Sequence, residues 1–391
     1  MSFQGLGIAP KILEILSRLN FTIPTPIQQQ SIPPGLDGKD IIGIAQTGTG
    51  KTLAFGIPMI QTLLSNPGDG LIIVPTRELA VQVNESIHQL AHLVNMRSAV
   101  LIGGENFNKQ LKQLRSGPRI LIATPGRLID HLKRRTIILN FIKVLVLDEA
   151  DRMLDMGFAP QIKIILQQVP PKRQTMLFSA TMPAAIINLA TRYMKLPVRV
   201  EVAPTGSIAK GVSQEIFFVE KSDKINLLKK LLGEYKGSTL IFTRTKFEAK
   251  KITRVIREAG HKVAEIHSNR SLHQRLDALN GFKHGLYRVL VATDIAARGI
   301  DVSGIELVLN FDLPAIADDY VHRIGRTARA GLTGHAISFA MPHQRADIKR
   351  IERFIGMNLR VSPVRIDKTA THARPPTAYP QRTRRRFYSH R

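Results

Sequence analysis

A glycine-rich segment near the start of the chain has the residue types needed to bind phosphate. Residues 45–52 read Ala-Gln-Thr-Gly-Thr-Gly-Lys-Thr and follow a short apolar run. Glycines at this spacing let the backbone N–H groups surround phosphate oxygens at the positive end of the next helix. Lys51 would neutralise the β and γ phosphates, and the Thr52 hydroxyl would ligate Mg²⁺. The segment therefore predicts a nucleotide site, although Ala45 stands where the general pattern has glycine; its residues are Gln46, Thr47, Gly48, Thr49, Gly50, Lys51 and Thr52.

An acidic segment about a hundred residues later supplies the complementary groups. An apolar run over 144–147 ends in Asp148 and Glu149. Carboxylates that follow a buried strand lie at the edge of the sheet where α/β folds bind ligands. Asp148 would hold Mg²⁺, and Glu149 would orient and deprotonate an attacking water. Alone, such a pair more often caps a helix; together with the phosphate segment, it predicts hydrolysis of a nucleotide.

The order of predicted elements explains how the two segments could meet. Short β-branched runs alternate with longer stretches of helical period, which is typical of parallel sheets flanked by helices. Turn-forming residues at 203–207 interrupt the pattern. We therefore predict an α/β fold with two lobes, residues 1–203 and 213–367, joined by a linker at 204–212. The predicted strands are 41–45, 71–74, 100–102, 120–123, 144–147, 175–178, 215–219, 240–242, 263–266, 289–291, 307–310 and 336–339.

Composition restricts the class of protein. The chain has 391 residues, and 56 Lys and Arg against 30 Asp and Glu give a formal net charge of +26. Such a charge favours a polyanionic partner, with nucleic acid first and an anionic membrane or ribosome surface as alternatives. The lack of cysteine excludes disulfides, Cys-ligated zinc and thiol catalysis. Since the sequence has neither a membrane-spanning apolar run nor a secretory signal, we predict a soluble, cytoplasmic protein.

The segment 368–391 differs from the rest of the chain. It holds seven Lys or Arg, three Pro and no acidic residue, and it lacks the apolar periodicity that folding requires. Without these seven charges, the preceding residues still carry +19. We predict a disordered basic tail that is either a solubilising segment or an electrostatic arm for nucleic acid, in which Tyr379, Phe387 and Tyr388 could stack on bases.

Several motifs in one order resemble those of a known family. Asp148-Glu-Ala-Asp151, with the phosphate segment and the motifs described next, resembles the DEAD-box family of ATP-dependent RNA helicases in superfamily 2. The resemblance runs from about residue 3 to about residue 340, and the short flanking segments are similar to the bacterial RhlE-type subgroup. It implies two tandem RecA-like domains with parallel β-sheets flanked by helices, ATP and Mg²⁺ as cofactors, and RNA as the partner.

The resemblance implies adenine recognition upstream of the phosphate segment. Phe21-Thr-Ile-Pro-Thr25-Pro-Ile-Gln28 is similar to the family's Q motif, in which the aromatic ring stacks on adenine and the glutamine reads its edges. Phe21, Thr25 and Gln28 would then select ATP over GTP. Phe3 matches the family's isolated upstream aromatic. Taken alone, the two prolines of this segment indicate only a turn.

Segments in both lobes are similar to the family's RNA-contacting motifs. In 75–79, 103–104 and 124–127, arginines, hydroxyls and helix N-termini could hold an anionic backbone without reading bases, although each segment alone equally suits helix capping. In 291–301 the resemblance places Gly299 and Asp301 at the nucleotide, with Asp301 at its ribose. The residues that it assigns to RNA are Arg77, Gly104, Thr124, Arg127, Arg244, Arg275, Thr293 and Arg298.

A basic helix in the second lobe has an informative spacing. Arg323, Arg326 and Arg329 recur every three residues, which alone indicates a solvated basic face. By resemblance, Arg326 and Arg329 reach the γ-phosphate as arginine fingers, a contact worth roughly 10³ to 10⁵ in rate. The resemblance assigns coupling between hydrolysis, strand separation and the lobes to Asp151, Ser179, Thr181, His322 and Arg323.

One region departs from the family pattern. In the segment 267–275, Ser268 and Leu272 replace the usual Gly and Gln, while Arg275 is retained. Gln274 could take the place of the missing Gln from a shifted register. We expect the departure to affect RNA affinity or coupling between the lobes and to leave ATP chemistry intact. Ala328, in place of the usual Gly, is a milder change of the same kind.

These observations predict an RNA-stimulated ATPase that unwinds RNA duplexes locally and non-processively or remodels RNA–protein complexes. We expect a monomer whose targets could belong to ribosome assembly or RNA decay. An ATP-gated RNA clamp or assembly factor would need the same motifs and is the main alternative. A DNA helicase of the same superfamily is disfavoured by the Q motif and by the sequence of residues 148–151.

Overall fold

The chain forms two seven-stranded parallel sheets with the same strand order. A computed structural model describes residues 2–46, 48–202, 211–297, 302, 304–328 and 333–363. The sheets are ordered β3-β4-β2-β5-β6-β1-β7 and β10-β11-β9-β12-β13-β8-β14. The strands are β1 Ile41–Ile44, β2 Asp69–Ile73, β3 Ser98–Leu101, β4 Ile120–Ala123, β5 Ile142–Leu147, β6 Gln174–Ser179, β7 Val198–Glu201, β8 Val212–Phe218, β9 Thr239–Thr243, β10 Val263–Ile266, β11 Val289–Thr293, β12 Leu307–Asn310, β13 Gly334–Ala340 and β14 Arg360–Val361.

Helices flank both sheets. Three short 3₁₀ segments, Phe3–Leu6, His92–Val94 and Pro342–Gln344, accompany them. Among the described residues, no helix combines the length and apolar character needed to cross a bilayer. The α-helices are α1 Pro10–Arg18, α2 Pro26–Leu36, α3 Lys51–Ser65, α4 Arg77–Ala91, α5 Phe107–Arg115, α6 Pro125–Lys133, α7 Ala150–Asp155, α8 Ala159–Gln168, α9 Ala184–Tyr193, α10 Lys224–Glu234, α11 Lys246–Glu258, α12 Leu272–Lys283, α13 Asp294–Ala297, α14 Ala317–Ile324 and α15 Arg345–Ile355.

The predicted α/β class and all twelve predicted strands are confirmed, with small differences at the ends. The sequence pattern missed β7 and β14. Both lie at the edge of a sheet, and only Val200 of β7 is buried, so neither gives the continuous apolar run of a central strand. Most of the predicted linker and the whole basic tail lie outside the described residues, and β8 begins at the linker's last residue.

Alternating side chains of the central strands fill two apolar layers. In β5, Val144 and Val146 belong to one core cluster, whereas Leu145 and Leu147 belong to the cluster on the other face of the sheet. This period of two is what a strand covered on both faces requires. The residue after Leu147, Asp148, therefore emerges at the carboxyl edge of the sheet, where the segments that follow the other strands also lie.

Gly43 of β1 gives a direct test of packing in the first lobe. It pairs with Phe178 of β6, and a Cβ atom at this glycine would overlap the Phe178 ring. Gly43→Ala should therefore lower the free energy of unfolding by about 1–3 kcal/mol because the ring cannot move freely in a packed core. Chemical denaturation followed by circular dichroism measures this.

Gly233→Ala is the matched control, since a Cβ there meets nothing within 4 Å inside helix α10. This variant should be neutral or slightly stabilising, because alanine has the higher helix propensity. Equal midpoints for the Gly43 variant and the unmodified chain would show that the Phe178 ring is free to shift.

Candidate nucleotide and RNA sites

The phosphate segment forms a tight loop between β1 and α3. Gly48 and Gly50 have φ angles of 82° and 89°, which explains glycine at both positions. Helix α3 begins directly after this loop at Lys51, whose buried Nζ donates to the carbonyl of Ala45 at 2.9 Å. The Thr49 hydroxyl closes the loop by donating to the carbonyl of Gln46 at 2.7 Å. Predicted site residue Thr47 lies outside the described residues.

The acidic segment lies at the carboxyl end of β5 and is buried. Burial raises the pKa of Asp148 to about 6, although Lys51 nearby acts in the opposite direction. Glu149 has left-handed backbone angles, φ 51° and ψ 50°, a conformation that costs energy in any residue but glycine. Within the described parts of the chain, neither Glu149 carboxylate oxygen accepts a hydrogen bond, and Arg152 Nε lies 3.5 Å from Oε2. The strained backbone thus presents a carboxylate with unused acceptor capacity.

The two segments and the Q motif line a common cavity of about 350 Å³. Gln28 is buried there and connects the Q motif to the phosphate segment. Its Oε1 accepts from the Thr25 N–H at 2.9 Å, and its Nε2 donates to the Gly50 carbonyl at 3.0 Å. Phe21 is 38% exposed at the cavity wall, as a ring that stacks on a base must be. Phe3 is instead buried in the first core cluster. The predicted site residues in this cavity are Phe21, Thr25, Gln28, Gly48, Gly50, Lys51, Thr52, Asp148 and Glu149.

Oxygen atoms suited to Mg²⁺ lie in the same cavity. Thr52 and Asp148 both line it, and they offer a hydroxyl and a carboxylate. Proteins usually bind Mg²⁺ through one or two such groups together with substrate phosphates. Consistent with this mode, no group of three or more His, Cys, Asp or Glu among the described residues could hold a metal alone. The donor set fits a Mg²⁺ ion bound together with a nucleotide.

Asp151 connects the acidic segment to the end of β6. Its Oδ2 accepts hydrogen bonds from the Thr181 hydroxyl at 2.9 Å and from the backbone N–H groups of Thr181 and Ala180 at 2.8 and 3.0 Å. Its own N–H donates to the Ser179 hydroxyl at 3.2 Å. The structure thus brings together three of the predicted coupling residues in the first lobe.

A second cavity, of about 450 Å³, is lined by both lobes. The Arg77 guanidinium packs over Gly104, where a side chain would collide with it, and Gly104 has a φ of 78°. The Thr76 hydroxyl accepts from the Leu79 N–H at 3.2 Å, so Thr76 caps helix α4 as the alternative interpretation of this segment expects. Thr124 precedes α6 but makes no capping hydrogen bond through its side chain. The predicted RNA residues in this cavity are Arg77, Thr124, Arg127 and Arg275, and Gly103, the neighbour of the predicted Gly104, also lines it.

Arg275 makes a buried ion pair between the lobes. Its Nη2 lies 2.6 Å from Oε1 of Glu78, and the two side chains are 11% and 3% exposed. The sequence analysis singled out Arg275 for RNA and did not include Glu78 among the site residues, because no sequence signal joins residues from different lobes. Leu272, one of the departures, is buried in the apolar cluster that otherwise belongs to the first lobe. Gln274 caps α12, because its Oε1 accepts from the Ser271 N–H at 3.1 Å, and its substitution for the missing glutamine stays a prediction.

The predicted site residues of the second lobe do not form one cluster. Arg323 is buried and holds Asp294 through two hydrogen bonds, of 2.6 and 2.7 Å, so these contacts lie within the second lobe. His322 and Arg326 border a small cavity that also includes Arg152 of the first lobe. Thr293 ends β11 and is half-buried. Arg298, Gly299, Asp301 and Arg329 lie outside the described residues.

Arg244 lies apart from the other predicted RNA residues. It lines a cavity of about 220 Å³ at the carboxyl edge of the second sheet. Its N–H donates to Oδ2 of Asp312 at 3.0 Å, and Oδ1 of the same carboxylate pairs with Lys224 Nζ at 2.9 Å. Lys224 is the first residue of α10, as Lys51 is of α3.

Asp318 of α14 is an acidic residue that the sequence analysis missed. It lies near first-lobe carboxylates, and its pKa is raised to about 7, first by burial and then by Asp151 and Asp319. Arg152 lowers this pKa and Asp155 raises it further. His322 Nδ1 lies 3.6 Å from Asp318 Oδ2. The approach of the lobes therefore places like charges near one another.

Comparisons with known proteins agree with this geometry. The DEAD/DEAH box helicase model matches residues 25–189, and the helicase conserved C-terminal domain model matches residues 223–331. The ATP-dependent RNA helicase CshA of Listeria monocytogenes is 42% identical over 353 residues, which is 90% of this chain and 68% of that protein.

Two solved structures differ in how well they superpose. S. cerevisiae Dbp5 bound to RNA and ADP BeF3 has a TM-score of 0.84 at 31% identity, with 93% of this chain and 95% of that chain covered. A DEAD box protein from the hyperthermophile Methanococcus jannaschii has 36% identity but a TM-score of 0.55, with 93% and 99% covered. The structure with the more similar sequence therefore superposes less well on this chain, although both alignments cover 93% of it.

Two RecA-like lobes that carry a phosphate loop, an acidic segment and a cavity shared between the lobes define a nucleic-acid-dependent ATPase of the helicase type. The chain belongs to the DEAD-box family, and it is an ATP-dependent RNA helicase.

The position of Asp318 predicts a pH dependence of lobe closure. In this arrangement its pKa is raised to about 7, first by burial and then by Asp151 of the first lobe, and we expect the part due to the first lobe to disappear when the lobes separate. Closure would then take up a proton, a contribution that is complete below the ordinary pKa and is lost as the pH rises through about 7. RNA affinity with a non-hydrolysable ATP analogue should fall by up to about tenfold per pH unit toward pH 7 and then level off. Fluorescence anisotropy of labelled RNA measures this.

Asp318→Asn should remove that part of the pH profile, because the amide does not ionise. Glu14→Asn is the control, since Glu14 is an exposed residue of α1 that forms an ion pair with Arg18 in its own helix. Parallel profiles for the Asp318 variant and the unmodified chain would contradict a role of Asp318 in closure.

Proposed function

We propose that the two lobes close around ATP and single-stranded RNA, and that closure bends one strand of a short duplex and releases its partner. The observation that carries this proposal is the 450 Å³ cavity, whose walls include Arg77 and Arg127 from the first lobe and Arg270 and Arg275 from the second. Arginines that contact phosphates without reading bases give sequence-tolerant binding. RNA held at this cavity would bind tightly only when the lobes are together. Unwinding would therefore be local and non-processive.

In this proposal the ATP site acts through residues of both lobes. Phe21, Thr25 and Gln28 receive the adenine, while the phosphate loop and Lys51 hold the phosphates. Glu149 accepts the proton of the attacking water, and its free carboxylate oxygens supply the capacity to do so. Thr52 and Asp148 would hold Mg²⁺, which neutralises charge on the phosphate oxygens when it is bound. Arg326 and Arg329 act as arginine fingers, and Gly299 and Asp301 contact the nucleotide.

Coupling between ATP and RNA follows from the shared dependence on closure. Any ligand that binds the closed arrangement more tightly must favour binding of the other by the same factor. Asp151, Ser179 and Thr181 link the acidic segment to the end of β6, and we assign the response at the second lobe to His322 and Arg323. The remaining RNA contacts in this proposal are Gly104, Thr124, Arg244, Thr293 and Arg298.

The proposal extends to organisation and setting. The catalytic unit comprises residues 1–203 and 213–367 with a linker at 204–212, and residues 368–391 form a basic RNA-binding arm. Within the DEAD-box family, we assign the chain to the RhlE-type subgroup. We propose that the protein is a cytoplasmic monomer that acts on ribosome-assembly or RNA-decay complexes. Both settings provide the ATP and the folded RNA that these sites would bind.

Glu149→Gln should abolish turnover while ATP-dependent RNA binding persists. The amide keeps the shape of the side chain but cannot accept a proton, and general bases contribute roughly 10²- to 10⁴-fold to rate. We expect kcat for RNA-stimulated ATP hydrolysis to fall by at least about a hundredfold, as measured by phosphate release. Glu14→Gln, on the exposed face of α1, should retain full activity; hydrolysis at the normal rate by the Glu149 variant would remove Glu149 as the base.

Deletion of residues 368–391 should weaken RNA binding and flatten its salt dependence. Each phosphate contact that is lost reduces the slope of log K against log salt by about 0.7 for single-stranded RNA. Anisotropy titrations at several salt concentrations measure the slope. A full-length variant with the seven Lys and Arg of the segment replaced by Gln separates charge from length, and an unchanged slope in both variants would show that the segment is not an RNA arm.

A further inference from the structure

Two RNA-facing segments of the first lobe must keep a fixed spacing if they are to grip one RNA backbone. Gly103 and Gly104 lie in the loop after β3, and Arg127 lies in the first turn of α6. The two segments belong to different strand-to-helix connections. Gly103 and Arg127 both line the 450 Å³ cavity. The contact between α6 and α5, the helix that follows the glycine loop, is therefore the place where their spacing is set.

A buried chain of hydrogen bonds joins these two helices. Gln110 of α5 donates through Nε2 to the carbonyl of Ile102, the residue before the glycines, at 2.8 Å. Its Oε1 faces Nε2 of His131 in α6 at 3.1 Å, and His131 Nδ1 lies 2.8 Å from the Thr136 hydroxyl oxygen. Gln110 and His131 are both fully buried. The Gln110 amide nitrogen donates to the Ile102 carbonyl, so the group that faces His131 is the amide oxygen, which can only accept. His131 Nε2 must therefore carry the proton and donate it to Gln110 Oε1.

Ring stacking reinforces the same contact. The His131 ring stacks on Phe107, the first residue of α5, with centroids 4.4 Å apart and planes 14° apart. The guanidinium carbons of Arg134 and Arg127 lie 4.5 and 5.7 Å from the Phe107 ring centroid. Arg127 also donates to the Glu105 carbonyl at 3.2 Å. Its Nε is buried and lies 3.7 Å from Asp130 Oδ2, so Arg127 is held in place both by the glycine loop and by its own helix.

His131 is suited to this position as a neutral side chain. Burial first, and Arg127 second, lower its pKa, while Asp130 acts in the opposite direction. A neutral imidazole that donates to Gln110 leaves Nδ1 as an acceptor for the Thr136 hydroxyl. The same hydroxyl lies 3.1 Å from the His131 carbonyl, so its single proton is directed to the closer Nδ1 when the ring is neutral. A leucine at this position would fill similar space but would leave the Gln110 oxygen without a donor.

We propose that His131 is a positioning residue for RNA, which fixes the spacing between the glycine loop and Arg127 through Gln110 and Phe107. This inference rests on the proposed function, since it assumes that the loop and Arg127 contact RNA. A purely structural role would stabilise the lobe without any preference for one ligand. The two roles predict different kinetics.

The test compares His131→Leu with His131→Gln, which keeps a side-chain donor able to reach Gln110. His131→Leu should raise KM for single-stranded RNA about tenfold, which corresponds to about 1.4 kcal/mol, because the glycine loop and Arg127 lose the contact that fixes their spacing. ATP affinity without RNA, and kcat at saturating RNA, should stay within about twofold. His131→Gln should restore most of the RNA affinity.

Controls separate this proposal from the one on which it depends. His88→Leu, at an exposed position of α4, should behave as the unmodified chain. If His131→Leu has an unchanged KM for RNA, or if KM for RNA and ATP affinity worsen together, the positioning role is wrong. If the unmodified chain shows no RNA-stimulated hydrolysis, the proposed function fails first.

Gln110→Glu provides a second route if His131→Leu does not fold. The substitution keeps the size of the side chain and the acceptor for His131, but it replaces the donor to Ile102 with an oxygen. It should therefore also raise KM for RNA, whereas a KM equal to that of the unmodified chain would overturn the proposal.

Discussion

The burial of three carboxyl groups in one corner of the first lobe is the constraint on which the rest of the structure depends. Asp148, Glu149 and Asp151 are each no more than 3% exposed, and buried charge is tolerated only when it is compensated. Lys51 and Arg152 supply nearby positive charge. The backbone and hydroxyl groups of residues 179–181 surround Asp151 with donors. The phosphate loop, β5 and β6 must therefore keep their relative positions for the lobe to be stable, and these are the same elements that a nucleotide would bind.

The second lobe completes surfaces that the first lobe begins. Arg275 reaches the buried Glu78, Leu272 enters an apolar cluster of the first lobe, and Asp318 approaches its acidic corner. The first two contacts favour closure, whereas the third opposes it when Asp318 is ionised. An interface with both favourable and unfavourable interactions suits a protein whose lobes must separate after each cycle. A wholly favourable interface would keep the closed arrangement populated. The Leu272 departure from the family pattern adds apolar area to this interface and takes the place of a polar contact.

The central strands and the chemistry-bearing loops could be read from the sequence, because parallel strands buried on both faces give continuous apolar runs and the loops follow them. The edge strands β7 and β14 could not, since they lack that signal. The left-handed backbone of Glu149 and the use of Gln28 as a link to Gly50 depend on tertiary contacts that spacing does not encode. The pairs Glu78–Arg275 and Gln110–His131 join residues far apart in the chain. Without an alignment, nothing in one sequence connects them.

The two sheets have the same order of strands, so the two lobes are structural copies of one another. In the first copy, the lysine that opens the helix after the first strand rests on a backbone carbonyl, an acceptor that a phosphate can readily replace. In the second copy, the lysine at the same place donates to the Phe311 carbonyl at 2.7 Å and also forms an ion pair of 2.9 Å with the chain's own Asp312. A phosphate there would first have to displace a carboxylate that also anchors the backbone of Arg244. The two lobes therefore share an order of strands but differ at this lysine, because only the ion pair with Asp312 would have to break before a phosphate could bind at the second one.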